Sequence, residues 1–387
     1  MSAKNEKRKR KTPVTRVPPV RSIDDLIALG RLYESPTFCP DSYTVNVKGI
    51  HDTIPALADL RDMVGLESVK RDIVDFVLFH SQDLHVPAKP PPAAAPGVSP
   101  PLPNASPPPQ FVFRVFPVPQ TPPPSSPAPD TFDAVDDDAV ADAKHMVIVG
   151  PPGTGKTAIA RIIGRICLAL GICSRNVFKS VRRSDLVGEF LGHTAIKTQR
   201  AIDDAAGGVL FIDEAYSLGS VGERDAFSKE CLDTLNYNLT ALKGQLVCII
   251  AGYEEELERL FFSANPGLRR RFAFRFRVGA YSWTDLTDIF LLKVRKIGWA
   301  ASEELVRVLR EERFFQSRTD DMPNFGGDVE TLLFHVKIEH GKRVFGLPTS
   351  SHKLLLPKDL TLGWERYVRH RNSVPDKVDA AFRMMFL

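Results

Sequence analysis

A chain of 387 residues with 43% hydrophobic content is long and apolar enough to bury a substantial core in one to three domains. No apolar run reaches the ~18–20 residues of a membrane span, and no apolar stretch follows the basic N-terminus; membrane insertion and secretion are not expected, and a soluble intracellular protein of cytoplasm or nucleus is. The net charge of +4 is weak evidence for nucleic-acid binding, because the first 21 residues carry eight Lys/Arg against one Glu and leave the remainder at −3.

In chain order, residues 1–20 read as a disordered basic tail. Lys7 to Lys11 is an unbroken basic run, suited to nuclear localisation or to non-specific anion contact, and it is the one place where nucleic acid is expected to bind. Residues 21–86 read as a helical segment leading into the core. Ser22 is placed to cap a helix to Tyr33 with Asp25 three residues on, and Pro55 to Phe79 is helical material interrupted at Val64-Gly65. Residues 87–142 form an insert. Between Pro87 and Pro129 lie 18 of the chain's 31 prolines, a density that helix and sheet ladders do not tolerate, so disorder or polyproline II is expected. Within it, Phe111 to Phe116 is an apolar island suited to weak docking, and Asp133, Asp136, Asp137, Asp138 and Asp142 make an acidic hinge.

Residues 143–281 alternate strand and helix patterns. Strands are expected before Gly150 and at Val177–Val181, Gly208–Asp213, Gln245–Ala251 and Ala273–Val278, which predicts an α/β fold: a largely parallel sheet sandwiched by helices, with ligand loops at the strand C-termini. From residue 282 to 346 the strand signal stops and amphipathic helices predict a small helical lid domain. Residues 347–387 are left as a C-terminal extension, whose Leu362, Trp364, Tyr367 and Val368 suggest an amphipathic docking surface. Five cysteines, Cys39, Cys167, Cys173, Cys231 and Cys248, without a CxxC pair fit buried hydrophobes in a reducing compartment better than disulfides or zinc.

The chemistry is concentrated where His145 to Val149 runs into Gly150-Pro151-Pro152-Gly153-Thr154-Gly155-Lys156-Thr157. This is the P-loop pattern, an apolar strand and then a glycine-rich turn opening a helix. Glycines are needed because backbone N–H groups turn inward onto phosphate oxygens, where a β-carbon would clash. Lys156 then reaches the β- and γ-phosphates and the Thr157 hydroxyl ligates Mg²⁺, so ATP and Mg²⁺ are the expected cofactors. Downstream, Gly208-Val209-Leu210-Phe211-Ile212-Asp213-Glu214 is an apolar strand ending in two carboxylates. Asp213 is assigned to the metal and Glu214 to the attacking water, which favours hydrolysis over phosphoryl transfer to a second substrate.

The combination GPPGTGKT, VLFIDEAYSL and NPGLRRRF, followed by a helical domain, resembles the AAA+ ATPases. The stretch Asp185 to Thr198, with GGVLFIDEAYSL and IIAGY, is similar to their CbbX/SpoVK-like group, and among these to the members in large DNA viruses and protists. The likeness covers residues 55–86 and 143–346. It implies a ring oligomer, usually a hexamer, that remodels or threads a protein client. Phe190-Leu191-Gly192 matches the pore loop that grips the client, with Phe190 as the contact residue. Arg271, then Arg270, matches the arginine finger supplied to a neighbour's nucleotide. Val64-Gly65 matches the segment beside the adenine, and Tyr253 stands where a polar sensor is usual. The lid's usual sensor arginine is missing from Asn324–Leu333, leaving Lys342 or Arg343 as substitutes. Two other readings stay open: a DNA-acting AAA+ motor, favoured by the basic tail, and a nucleotide-gated assembly scaffold with little turnover.

Overall fold

The computed structural model describes residues 19–36, 45–82, 144–190, 192–219, 226–242, 245–348 and 352–373. The basic run, the Pro-rich insert with Phe111–Phe116, the acidic hinge, Cys39 and Leu191 lie outside the described residues.

Three helices come first: α1 (Ile23–Arg31), α2 (Val47–Arg61) and α3 (Glu67–Ser81). Ser22 caps α1 by accepting the Asp25 N–H, and Asp25 returns the bond to Ser22, the reciprocal box expected from the sequence. Helix α2 starts eight residues earlier than the sequence pattern suggested and carries Pro55 inside it; Asn46 caps it through the Gly49 N–H. The break at Val64-Gly65 is real, and Gly65 (φ +65°) and Leu66 (φ +67°) turn the chain through left-handed conformations into α3.

The core then alternates β1 (Met146–Val149), α4 (Lys156–Ala169), β2 (Phe178–Val181), α5 (Arg183–Leu186), α6 (His193–Ala205), β3 (Val209–Ile212), α7 (Ala226–Ala241) and β4 (Val247–Gly252). After these come α8 (Glu254–Glu256), continued by a π-helical turn to Phe262, then α9 (Pro266–Arg271) and β5 (Phe274–Arg277). The five strands are all parallel in the order β2-β3-β4-β1-β5. The central strands read as unbroken apolar runs because both sheet faces are covered. Residues of opposite parity enter two cores. Ile148, Phe211 and Ile249 face α1–α4, while Val147, Leu210, Ile212 and Ile250 face α6, α7 and α9. Four described cysteines are buried and free, as small hydrophobes would be.

The lid comprises α10 (Trp283–Lys296), β6 (Ala300–Ala301), α11 (Glu303–Arg310), α12 (Gly326–Val344), β7 (Leu354–Leu355) and α13 (Pro357–Ser373). It is not purely helical: β6 and β7 pair in parallel. Nor is α13 a free amphipathic tail. Tyr367 is buried, and Trp364 packs edge-on to Phe314 and beside Tyr367; Leu362 stays exposed. A buried cluster fastens α13 to α12. Asp359 accepts from Arg343 at 2.7 and 2.9 Å, its other contact is His340 Nδ1 at 3.1 Å, and the carboxylate is almost fully buried. Among the described residues no helix is long and apolar enough to cross a membrane.

Candidate nucleotide site

In a parallel sheet the loops at the strand C-termini share one rim, and the strand order decides which loops meet. Here β4 lies between β1 and β3, so the P-loop, Gly252-Tyr253 and Asp213-Glu214 emerge side by side. They line one cavity of about 520 Å³, closed on the far side by Met63-Val64 and by the lid helices α10 and α12.

The glycine-rich turn is built as its sequence requires at two positions. Gly153 (φ +69°) and Gly155 (φ +86°) both have left-handed backbones. Thr154 donates its hydroxyl to the Pro151 carbonyl at 2.8 Å, tightening the turn. Lys156 donates to the carbonyls of Gly150 (2.9 Å) and Pro151 (2.7 Å) and lies 5.5 Å from the Tyr253 ring centroid. Burial pulls the Lys156 pKa down, and the nearby Asp213 and Glu214 carboxylates oppose that. Pro152 through Thr157 line the cavity; Gly150 and Pro151 stand behind it as the lysine's resting partners.

Glu214, the second residue after β3, has a left-handed backbone (φ +52°), an unfavourable conformation for a residue with a β-carbon. It brings both carboxylates to the cavity wall, and Asp213 accepts the Glu214 N–H at 3.2 Å. Arg182 approaches Asp213 at 3.7 Å. Thr157 and Asp213 fit a hard cation, since both offer oxygen ligands on the same wall as the phosphate-binding turn. Two tyrosines finish this end. Tyr253 stacks on Tyr216 with centroids 5.4 Å apart; burial and then Glu214 raise both phenol pKa values, that of Tyr216 to about 12. Tyr216 was not singled out from the sequence, although its place two residues after Glu214 was a usable signal.

Met63, Val64, Tyr281, Ile289 and Leu292 give the other end apolar walls suited to a base. Gly65 does not line the cavity; it makes the turn that presents Val64, and an added β-carbon there would lie 3.3 Å from Tyr281. Tyr281 donates its hydroxyl to the Thr154 carbonyl at 3.0 Å and so ties the segment between β5 and α10 to the P-loop.

Lys342 and Arg343 do not reach the cavity. Lys342 pairs with Glu339 and Arg343 with buried Asp359, so neither replaces the missing lid arginine. Besides Ile289 and Leu292, the lid residues that do line it are Lys293 and Lys296 of α10 and Gly326, Gly327 and Glu330 of α12. The signal was present as Ile289, Leu292, Lys293 and Lys296, a stripe at helical spacing with a basic end, but the wall it would face could not be known.

Arg270 and Arg271 do not line their own chain's cavity. Arg271 donates to the Thr240 hydroxyl (3.0 Å) and the Gly267 carbonyl (2.8 Å), Arg269 pairs with Glu258, and Arg270 is exposed. Phe190 is 64% exposed between Gly188 and the left-handed Gly192, with its ring 5.5 Å from His193; it is not a core residue.

A phosphate-binding turn, a strand-end carboxylate pair and an overhanging lid meet in one cavity, and the sequence comparison agrees. Residues 146–280 match the family model of the AAA ATPases, described as associated with various cellular activities. The chain carries an AAA ATPase domain. It is 40% identical over 244 residues to a cfxQ-like protein of Acanthamoeba polyphaga mimivirus, covering 63% of this chain and 59% of that protein. It is 42% identical over 162 residues to stage V sporulation protein K of Bacillus subtilis, covering 42% and 50%. With the ESX-1 secretion system protein EccA1 of Mycobacterium tuberculosis it is 41% identical over 177 residues, covering 45% and 30%. The chain thus spans less than two thirds of each of these relatives, and the likeness is consistent with the CbbX/SpoVK-like group of AAA proteins.

Proposed function

We propose that this AAA protein hydrolyses ATP and uses the cycle to remodel or thread a protein client as a ring oligomer, which we take to be a hexamer. The observation that carries this reading is the division of the catalytic set. The P-loop, Asp213 and Glu214 share one cavity, while Arg270 and Arg271 lie outside it, which suits residues that serve a neighbouring subunit. Lys156 would release the loop carbonyls to hold the β- and γ-phosphates, and Thr157 and Asp213 would hold Mg²⁺, which when bound offsets phosphate charge. Glu214 would accept the proton of the attacking water. Val64 borders the base, and Tyr253, between the P-loop and the carboxylates, would sense the γ-phosphate through its hydroxyl. Phe190, on a loop flanked by glycines, supplies the sequence-tolerant apolar contact that gripping an extended chain requires.

The test is Glu214→Gln in the purified chain. Turnover is expected to fall at least about a hundredfold, within the range for loss of a general base. ATP affinity is expected to be retained, and sedimentation in ATP should show a stabilised oligomer. Unchanged turnover removes Glu214 from its role, and a monomer at all ATP concentrations refutes the ring.

A further inference from the structure

The lid of this chain brings no arginine to the nucleotide cavity, yet it brings charge. Lys293 and Lys296 are the cations that join Lys156 on its wall among the described residues, and they come from α10, with Glu330 facing them from α12. Lys293 donates to Glu330 at 2.9 Å.

The position of this pair follows from where α12 begins. A β-carbon on Gly153 would lie 1.8 Å from the Asn324 carbonyl oxygen, and one on Gly326 would lie 2.9 Å from the Gly153 carbonyl oxygen. The start of α12 is therefore seated on the P-loop. Asp328 holds that start by accepting the Asn324 N–H at 2.7 Å and is committed there. Glu330 lies about one helical turn, ~5.4 Å of axis, beyond Gly326. Lys293, hydrogen-bonded to Glu330, is thereby held on the cavity wall about one helical turn along α12 from the residues seated on the P-loop.

The pair is also built to exchange. The Glu330 side chain is 74% exposed and that of Lys293 30%, so the bond is solvent-screened and weak, whereas a triphosphate concentrates several negative charges in a partly enclosed cavity. A lysine offers a point charge on a flexible stem and can swing from one acceptor to the other without a fixed fork geometry.

We propose that Lys293 is the lid's phosphate-contacting residue, parked on Glu330 when the cavity is empty and transferred to the triphosphate when ATP binds. Lys296, one turn behind it on the same face, adds long-range charge. The contact couples α10 and α12 to the number of phosphates present. It rests on the nucleotide reading of the cavity and assigns the lid's part in it.

The experiment titrates the full chain with a fluorescent ATP analogue and the matching ADP analogue, with Mg²⁺, for wild type, Lys293→Ala, Lys293→Arg and Glu330→Gln. Lys156→Ala serves as the site control, and melting curves establish that each variant folds. Lys293→Ala is expected to weaken ATP about tenfold and ADP about threefold or less, and Lys293→Arg to restore most of the loss. Glu330→Gln, which frees the lysine, is expected to tighten ATP binding two- to fivefold. Two results overturn the inference while leaving the nucleotide site intact: ATP affinity in Lys293→Ala within twofold of wild type, or Glu330→Gln weakening ATP as much as Lys293→Ala does. If wild type binds neither analogue, or Lys156→Ala binds both as well as wild type, the nucleotide reading fails and the inference falls with it.

Discussion

Replacing Gly153 by alanine tests whether the lid rests on the P-loop in solution. Two separable costs follow from its geometry. The left-handed backbone at φ +69° penalises any β-carbon by roughly 1–2 kcal/mol. The new carbon would also sit 1.8 Å from the Asn324 carbonyl oxygen and 2.8 Å from its carbon, both backbone atoms that cannot rotate away. Relieving such overpacking costs about 1–3 kcal/mol, here by lifting the start of α12 off the loop. Gly171 provides the internal control, because its backbone is also left-handed (φ +77°) with open space where the β-carbon would go. Gly171→Ala should therefore carry the conformational cost alone. Chemical denaturation of both variants should show Gly153→Ala less stable than Gly171→Ala by about 1–3 kcal/mol. ATP affinity should fall by about tenfold or more in Gly153→Ala, through the lifted lid wall together with the β-carbon placed in the phosphate-binding turn, and remain near wild type in Gly171→Ala; the stability difference is therefore the readout specific to the lid. Equal stability and equal ATP affinity in the two variants would refute the seated lid.

The finger assignment can be tested by mixing subunits. Arg271→Ala should lower turnover more than Arg270→Ala, because Arg271 is held in place by Thr240 and Gly267, and activity should partly return when it is mixed with Glu214→Gln subunits, which keep the finger; rescue of Arg270→Ala alone would move the role. His145 predicts a pH dependence. Burial lowers its pKa from 6.5 to about 4, the Leu239 carbonyl opposing, and its Nδ1 accepts the Cys248 N–H at 3.0 Å. The unfolded chain then binds more protons between these values, so stability falls as pH drops from about 6.5 to 4, by roughly 3 kcal/mol in all; His145→Gln should flatten that part of the pH profile. Arg343→Met leaves Asp359 buried without its cation and should cost about 3–5 kcal/mol, measured by denaturation, while Asp359→Asn in the same background recovers part of the loss.

Much of the site was legible because its signals are local. The P-loop needs glycines at fixed offsets, and Gly153 and Gly155 do take left-handed backbones. Asp213 and Glu214 end an apolar run that is buried on both faces, so strand and carboxylates announce each other. The Ser22–Asp25 box closes within four residues. The misreadings involved partners far along the chain. Lys342 and Arg343 were near the right helix, but Arg343 is drawn to Asp359, sixteen residues on and buried, in a segment that the sequence set apart as an extension. Helix α13 itself looked like a free amphipathic surface because the groove of α11 and α12 that receives Tyr367 and Trp364 has no trace in its own periodicity.

What the sequence determined by itself is the phosphate-binding turn, the carboxylates and the alternation that forces a parallel sheet, since each is set by backbone conformation or burial within one segment. Tertiary structure alone decided which lid charges line the cavity. Lys293 and Glu330 are 37 residues apart, and Tyr281 and Thr154 are 127 apart. Those pairings exist because the order β2-β3-β4-β1-β5 fixes the rim on which the P-loop opens, and the bond from Tyr281 to Thr154 holds the start of the lid beside it.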